Sequence, residues 1–357
     1  MTQQGRVLII GAGPAGLAAA VCLRREGIPF HLVDRRGATG GAYLRIYDRI
    51  TLASPTRYTG LPGLRIKIPG EYVTVPEYRA YLDRYAVHHG LVSEQTEVQR
   101  VERQGSGFLV YFAGGGQPAR YEAVVCATGM FDFPVRPSTA GLSDDGAAGS
   151  DQSKVLHSQV WPGPERFRGR RLLIIGGAVS AVEIAEECVR AGIRPVVSTR
   201  SGIKISPQRI LGRDVHDYAY LFERLPRGLL GSYCDRRPTL PGTDLGFKEF
   251  HRSGLITVRE GITRLEGKRA LFAGGTRQEF DVVVLATGYR FDTPYLPPQV
   301  ARASFGHPVS DDCQSRSWRG LFFLGMPCTR GLSSEFLRGI ASDAPILARR
   351  VRQWLRR

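Results

Sequence analysis

Arg6-Val-Leu-Ile-Ile10 runs into Gly11-Ala-Gly13-Pro14-Ala15-Gly16, and later Arg171-Leu-Leu-Ile-Ile175 runs into Gly176-Gly-Ala178-Val-Ser180-Ala181. Each copy ends in an apolar strand closed by the same tripeptide, Tyr121-Glu-Ala-Val-Val-Cys-Ala127-Thr128-Gly129 and Phe280-Asp-Val-Val-Val-Leu-Ala286-Thr287-Gly288. The pattern predicts a buried strand, a tight turn, and a helix whose free N-terminus faces a pyrophosphate. The first glycine makes the turn, the second lets backbone approach phosphate, and the third lets the helix pack on the strand. One such turn is weak evidence; two in one chain, each with its closing strand, predict two bound dinucleotides. The expected fold is α/β, with two Rossmann-like dinucleotide-binding domains, the second inserted in the first. Residues 1–154 with 291–357 form the outer domain, and residues 155–290 the inserted one.

Charge assigns a cofactor to each turn. Pro29-Phe-His-Leu-Val-Asp34 places a carboxylate 23 positions past Gly11, where such folds bind the adenosine ribose diol. In the second copy, Arg194-Pro-Val-Val-Ser-Thr-Arg200 puts a cation 24 positions past Gly176, as a 2′-phosphate site requires. The first site therefore suits FAD and the second NADPH. The candidate FAD contacts are Gly11, Gly13, Pro14, Ala15, Gly16, Asp34, Arg35, Gly41, Val98, Ala127, Thr128, Gly129 and Gly325. The candidate NADPH contacts are Gly176, Ala178, Ser180, Ala181, Arg200, Ala286, Thr287 and Gly288.

The remaining composition narrows the partners. The 357 residues carry a net charge of +16, with 49 basic residues of which only five are lysine. The arginines are scattered, and no basic run interleaves with aromatics, so nucleic acid is not an expected partner. The densest cluster, Ala348 to Arg357, reads as the solvated face of a last helix. The six cysteines form no CxxC, so a dithiol of the disulfide-reductase kind is not expected; Cys22, Cys126 and Cys188 read as packing residues. No metal-ligand spacing is present. No signal peptide and no apolar run of about 18 residues is found, and the expected location is cytoplasmic. A small molecule and dioxygen are the expected partners, with a homodimer left open.

Along the chain, Tyr43 to Gly70 is an irregular stretch too long to be a mere connector. Thr74-Val-Pro76-Glu77 predicts a capping box opening a helix that Gly90 closes. Strands near 96–103, 107–112 and 119–127 predict a meander turning at Gly114-Gly-Gly116. The second unit starts near His157. The aromatics Tyr218, Tyr220, Phe222, Tyr233, Phe247 and Phe250 read either as packing within an insertion or as the wall of a substrate channel. The last helix is predicted from about Ser333, with Ser333 and Ser334 as N-cap candidates and its N-terminus aimed at the flavin's pyrimidine edge, or else packed on the sheet as an ordinary terminal helix.

These residues resemble the flavin-containing monooxygenases and their Baeyer–Villiger relatives over nearly the whole length. The matching elements are Gly11 to Gly16, Gly40-Gly41-Ala-Tyr43, Ala53-Ser54-Pro55, His157-Ser158, Gly176-Gly-Ala-Val-Ser180-Ala181-Val-Glu183 and Ala286-Thr-Gly-Tyr289. The resemblance implies hydride transfer from NADPH to FAD, dioxygen activation as a C(4a)-peroxyflavin, and oxygenation of a small soft nucleophile or a ketone. It points to Ala53, Ser54, His157 and Tyr289 as candidate catalytic positions. The family fingerprint Phe-x-Gly-x-x-x-His is only half kept: His157 and Trp161 match, whereas Asp151 and Ser153 replace the Phe and Gly. His157 reads as a residue coupling the two domains or as a loop histidine. Ala53 stands where eukaryotic-type members carry asparagine, which implies a less protected oxygen intermediate and peroxide release. The alternatives are an NADPH-dependent flavin reductase or dehydrogenase, an NADPH oxidase without productive oxygenation, and a nucleotide sensor.

Overall fold

The computed structural model describes residues 6–46, 48, 50–142, 154–222, 241–303 and 306–357. Its centre is a pair of sheets with the same internal order. In the first, strands run Leu321–Phe323, Ala123–Cys126, Val7–Ile10, Phe30–Asp34 and Glu94–Gln95, all parallel, with two short antiparallel strands (Ser310–Asp311, Gln314–Ser315) beyond Leu321–Phe323. In the second, the order is Lys154–His157, Val282–Leu285, Leu172–Ile175, Val196–Ser198 and Thr257–Arg259, all parallel. The register repeats as well. Ile10 lies between Val33 and Cys126, and Ile175 between Ser198 and Leu285. Four-residue runs such as Val7–Ile10 and Leu172–Ile175 are buried throughout, as parallel strands covered on both faces must be.

Each sheet carries a three-stranded antiparallel meander. The first comprises Val98–Gln104, Gly107–Phe112 and Ala119–Tyr121. The expected single strand over 119–127 is in fact two: the chain leaves the meander at Tyr121 and re-enters the parallel sheet at Ala123–Cys126. The second meander, Ile262–Glu266, Arg269–Phe272 and Arg277–Glu279, was not foreseen. Its strands alternate exposed arginines with single buried residues, so its period-2 signal is faint. The irregular stretch after Tyr43 contains a strand, Thr51–Pro55, paired with Tyr72–Thr74.

Helix Val75–His88 starts at the expected capping box: Thr74 N donates to Glu77 Oε2 at 2.9 Å, and Glu77 N to Thr74 Oγ1 at 3.4 Å. The last helix, by contrast, begins at Leu337 with Phe336 as N-cap, not at Ser333. Ser334 is already engaged: its Oγ accepts from Arg330 N and Gly331 N and donates to buried Asp343 at 2.6 Å. That hydroxyl braces the turn before the helix and cannot cap it. The helix packs on the first helix, Pro14–Arg25, and their apolar residues share one core. No helix among the described residues is long and apolar enough to cross a membrane.

The chain crosses from the first sheet to the second after Cys126 and returns after Leu285. The two crossings pair with each other: Pro134 bridges Tyr289, Val135 N donates to Gly288 O at 2.9 Å, and Arg290 N to Phe133 O at 2.9 Å.

The tight packing of the first helix on its own turn yields a prediction. A Cβ on Gly16 would sit 1.8 Å from the Gly11 carbonyl oxygen, so Gly16→Ala should destabilise by about 3 kcal/mol or more, read as a lowered urea midpoint.

Candidate functional site

A cavity of about 980 Å³ runs between the two glycine turns. Gly11, Gly13, Pro14 and Ala15 line one end, and Gly176, Ala178 and Ser180 the other, with Ala127–Gly129 and Ala286–Tyr289 between them. Asp34, Arg35, Gly41, Ala53, Ser54, Val98, Arg200 and Gly325 also reach it. Three of the expected site residues do not. Gly16 and Ala181 lie one turn into their helices, where they pack helix on strand. His157 is buried behind Tyr289. Asp151 and Ser153 lie outside the described residues.

The two turns differ in what the protein itself requires of them. Gly11 has φ +103, and a Cβ there would lie 2.7 Å from Ala127 O; Gly176 has φ +149, with Ala286 O at 2.2 Å. Both are glycine for reasons internal to the fold. Gly13 is different: a Cβ there would meet only Gly41 Cα, at 3.7 Å, an ordinary contact. The missing side chain leaves room for a group from outside the protein, at the start of helix Pro14–Arg25. That helix and Val179–Arg190 both begin without a side-chain cap and without an acid in the first turn. Their leading N–H groups are therefore available to an anion, and the residues present fit two pyrophosphates.

Charge is arranged accordingly. Asp34 is buried, accepting from Ala12 N and Arg36 N at 2.9 Å each, so it braces the turn while still lining the cavity. Asp132 gathers the guanidinium groups of Arg35, Arg36 and Arg45. Burial disfavours its charge, but the Arg36 hydrogen bond and the nearby cations outweigh that and hold its carboxyl below the usual range. Arg35 also pairs with Glu97 and Arg36 with Asp34, at 3.8 and 3.9 Å, so the three cations and three carboxylates form one network beside the cavity. Sequence reading missed Arg36, Arg45 and Asp132; the only local hint was Arg35-Arg36 directly after Asp34. At the far end Arg200 is exposed, its stem against Gly261, and makes no hydrogen bond or ion pair among the described residues.

Glu335, Phe336, Leu337 and Ile340 bring the start of the last helix to the cavity wall, again with no side-chain cap and no acid in the first turn. Arg338, buried, donates to Ser54 Oγ at 3.3 Å and lies over the Phe336 ring. Tyr289 stands edge-on to Phe131 (5.0 Å) and to His157 (5.1 Å). His157 Nδ1 accepts from Gln159 N at 3.0 Å, and burial lowers its pKa to about 4. It is a neutral ring wedged under the paired chain crossings.

Of the aromatics after Ser206, Phe247 and Phe250 take the packing role. Phe247 is in the core, Phe250 packs against it, and Tyr220 lies 5.2 Å from Tyr58. Tyr218, Tyr220, Phe247 and Phe250 do not line the cavity; the Phe222 side chain and Tyr233 lie outside the described residues. Cys22, Cys126, Cys188 and Cys313 are free and buried, and burial pushes the first three up to about 11, 12 and 12, so none is a ready thiolate. Cys328 is disulfide-bonded and is not part of the cavity wall.

The family model for pyridine nucleotide-disulphide oxidoreductases matches residues 8–210. The chain is similar to the indole-3-pyruvate monooxygenase YUCCA1 of Oryza sativa subsp. japonica, 27% identical over 385 aligned positions that cover 98% of this chain and 92% of that protein. Among solved structures it superposes on a flavin-containing monooxygenase from Stenotrophomonas maltophilia with a TM-score of 0.81 at 24% identity, covering 99% and 100% of the two chains. It also superposes on a bacillithiol disulfide reductase from Bacillus cereus, with a TM-score of 0.74 at 19% identity over 99% and 100%. Both structural likenesses speak to the fold.

Two predictions follow from this geometry. Arg200→Ala should lower affinity for NADPH tenfold to hundredfold, a charge-assisted contact being worth about 1.5–3 kcal/mol, and should leave NADH unchanged; titration with both cofactors checks it. His157 is neutral in the fold down to about pH 4, whereas unfolded it takes a proton near 6.5. Its contribution is therefore present above 6.5 and is lost as pH falls towards 4. Between pH 7 and pH 5 the loss is about 2 kcal/mol. Urea unfolding at both pH values should show His157→Phe losing that much less than the wild type.

Proposed function

The chain belongs to the pyridine nucleotide-disulphide oxidoreductase family, and within it we propose that it works as an FAD- and NADPH-dependent monooxygenase-like oxidoreductase. One observation carries the reading: a single cavity is walled by two glycine turns that each present an uncapped helix N-terminus. The proposed domains are 1–154 with 291–357 for FAD and 155–290 for NADPH. Lys154 pairs with Val282 in the second sheet, which supports a start of the inserted domain close to that residue.

FAD held there would supply redox chemistry between NADPH and dioxygen, with one oxygen atom delivered to the substrate and the other reduced to water. The protein's part is to bind, orient and exclude water. Helix Pro14–Arg25 and Asp34 would hold the FAD pyrophosphate and ribose, while helix Val179–Arg190 and Arg200 would hold those of NADPH and its 2′-phosphate. The start of the last helix, at Phe336 and Leu337, lines the cavity without a side-chain cap, and its N–H groups would favour negative charge on a reduced flavin. Leu52, Met130, Phe131 and Ile340 make the intervening wall apolar, which keeps water from the reacting groups. Ala53 and Ser54 line it where the substrate would approach, and Tyr289, propped by His157, closes the side between the paired crossings. The substrate class is a small soft nucleophile or a ketone; a 2-oxo acid of the kind named for the rice relative falls in the second group.

A reductase or oxidase is the second reading, and Ala53 favours it, since a methyl group supplies no hydrogen bond to oxygen chemistry beside it. Disulfide reduction is disfavoured: the free cysteines are buried, raised in pKa, and absent from the cavity wall.

NADPH consumed, peroxide released and sulfoxide formed should be measured in one reaction with a test sulfide. We expect NADPH use to exceed sulfoxide, with peroxide making up the difference, and Ala53→Asn to lower the peroxide share. Reduced protein that is inert to dioxygen yet passes electrons to a quinone would overturn the monooxygenase reading.

A further inference from the structure

Five residues of the FAD-side core form a continuous line of rings from the cavity, and a sixth carries it to the surface. Tyr43 lines the cavity. Its ring is 4.8 Å from Tyr78, which is 5.7 Å from Tyr81, which is 6.0 Å from Tyr85; Tyr85 is 4.7 Å from His89, and His89 4.7 Å from exposed His88. All are within the range of direct aromatic contact. Tyr78, Tyr81 and Tyr85 are fully buried and share one face of helix Val75–His88 through their i, i+3, i+7 spacing.

Packing accounts for part of this. The Tyr78, Tyr81 and Tyr85 hydroxyls donate to the carbonyls of Thr59, Leu64 and Pro62, at 3.3, 2.8 and 2.6 Å, and so pin the loop that crosses the helix. Loop anchoring does not account for the two ends. Tyr43 carries a phenol at the cavity wall whose hydroxyl makes no hydrogen bond among the described residues, and the imidazoles of His89 and His88 continue the line outward. A phenol gives up one electron reversibly, whereas an aliphatic side chain in the same place is destroyed by a radical oxidant. Rings in contact exchange such a charge readily.

We propose that Tyr43, Tyr78, Tyr81 and Tyr85 form a protective electron-transfer line that carries stray oxidising equivalents from the cavity to the surface beside His89 and His88. The proposal rests on the flavin–oxygen reading only for the source of the oxidant. A hydroxyl radical in the cavity takes one electron from Tyr43 and a proton from solvent to become water. Tyr43 is refilled from Tyr78, then Tyr81, then Tyr85. Each phenol proton stays shared with its carbonyl, or with cavity water at Tyr43, and settles back on re-reduction. At the surface a small-molecule thiol at exposed His88 gives one electron, which reaches Tyr85 across the His88 and His89 rings, and releases one proton. The tyrosines are unchanged overall: one hydroxyl radical and one thiol become one water and one thiyl radical.

Tyr78→Phe tests this, because it keeps the ring and removes only a long 3.3 Å hydrogen bond. FAD-loaded protein is illuminated with blue light, the excited flavin serving as a one-electron oxidant whatever its chemistry with oxygen, and oxidised residues are mapped by peptide mass spectrometry. Wild type should accumulate modification at Tyr85, His88 and His89, and an added thiol should suppress it. Tyr78→Phe should lower those sites severalfold and raise Tyr43 and cavity-wall Met130. Tyr81→Phe should do the same, and stands in if the first variant loses its flavin. Tyr111→Phe, off the line, should match wild type. A yellow protein whose oxidation pattern is unmoved by both ladder variants overturns this proposal alone. Protein that holds no flavin overturns the functional reading with it.

Discussion

Phe133–Val135 and Gly288–Arg290 are hydrogen-bonded to each other at the point where the chain leaves one sheet and comes back from the other. This short pairing ties the two sheets together along the backbone, and side chains add to it further out: Tyr58 and Arg57 both reach Asp217, and Arg209 reaches Glu71. It places both Ala-Thr-Gly turns side by side on one cavity wall, and Thr287 Oγ1 adds a bond across it to Val135 O. Tyr289, the residue after the second turn, is held between Phe131 and His157. Two crossings tied together resist shear far better than two independent strands. The neutral, buried His157 serves the same end, because an imidazolium there would have to draw water into the joint.

The two units share strand order, register and even a meander, yet differ where they meet a cofactor. The buried carboxylate of Asp34 is spent partly on its own turn, through Ala12 N and Arg36 N, while Arg200 is free of such duties. Around Asp132 the first unit gathers three arginines. A shared backbone thus serves both sites, and side chains at a few strand ends distinguish them.

What could be read in the sequence was what the backbone demands locally. Gly11 and Gly176 adopt conformations that other residues resist, and Thr74 with Glu77 forms a cap within four residues of chain. Each signal is short-range, so residue type alone carries it. What failed was tertiary. Ser333 and Ser334 look like helix caps, but Asp343, nearly two turns into the helix, claims the Ser334 hydroxyl. The Asp132 cluster joins residues far apart in the chain, and no spacing announces it. His157 was singled out by its neighbours in the motif, yet the sequence could not say that it touches Tyr289 and not the cavity.

The solitary state of Arg200 has a consequence for time as well as for affinity. A guanidinium already paired with a carboxylate would have to surrender that partner before receiving a phosphate, and the exchange would slow capture. Exposed and without a partner among the described residues, on a chain of net charge +16, it is a fixed charge on the cavity wall open to an approaching anion. Encounter with a nicotinamide dinucleotide is then steered by the field of the whole molecule, fast in dilute buffer and slowed as salt screens it.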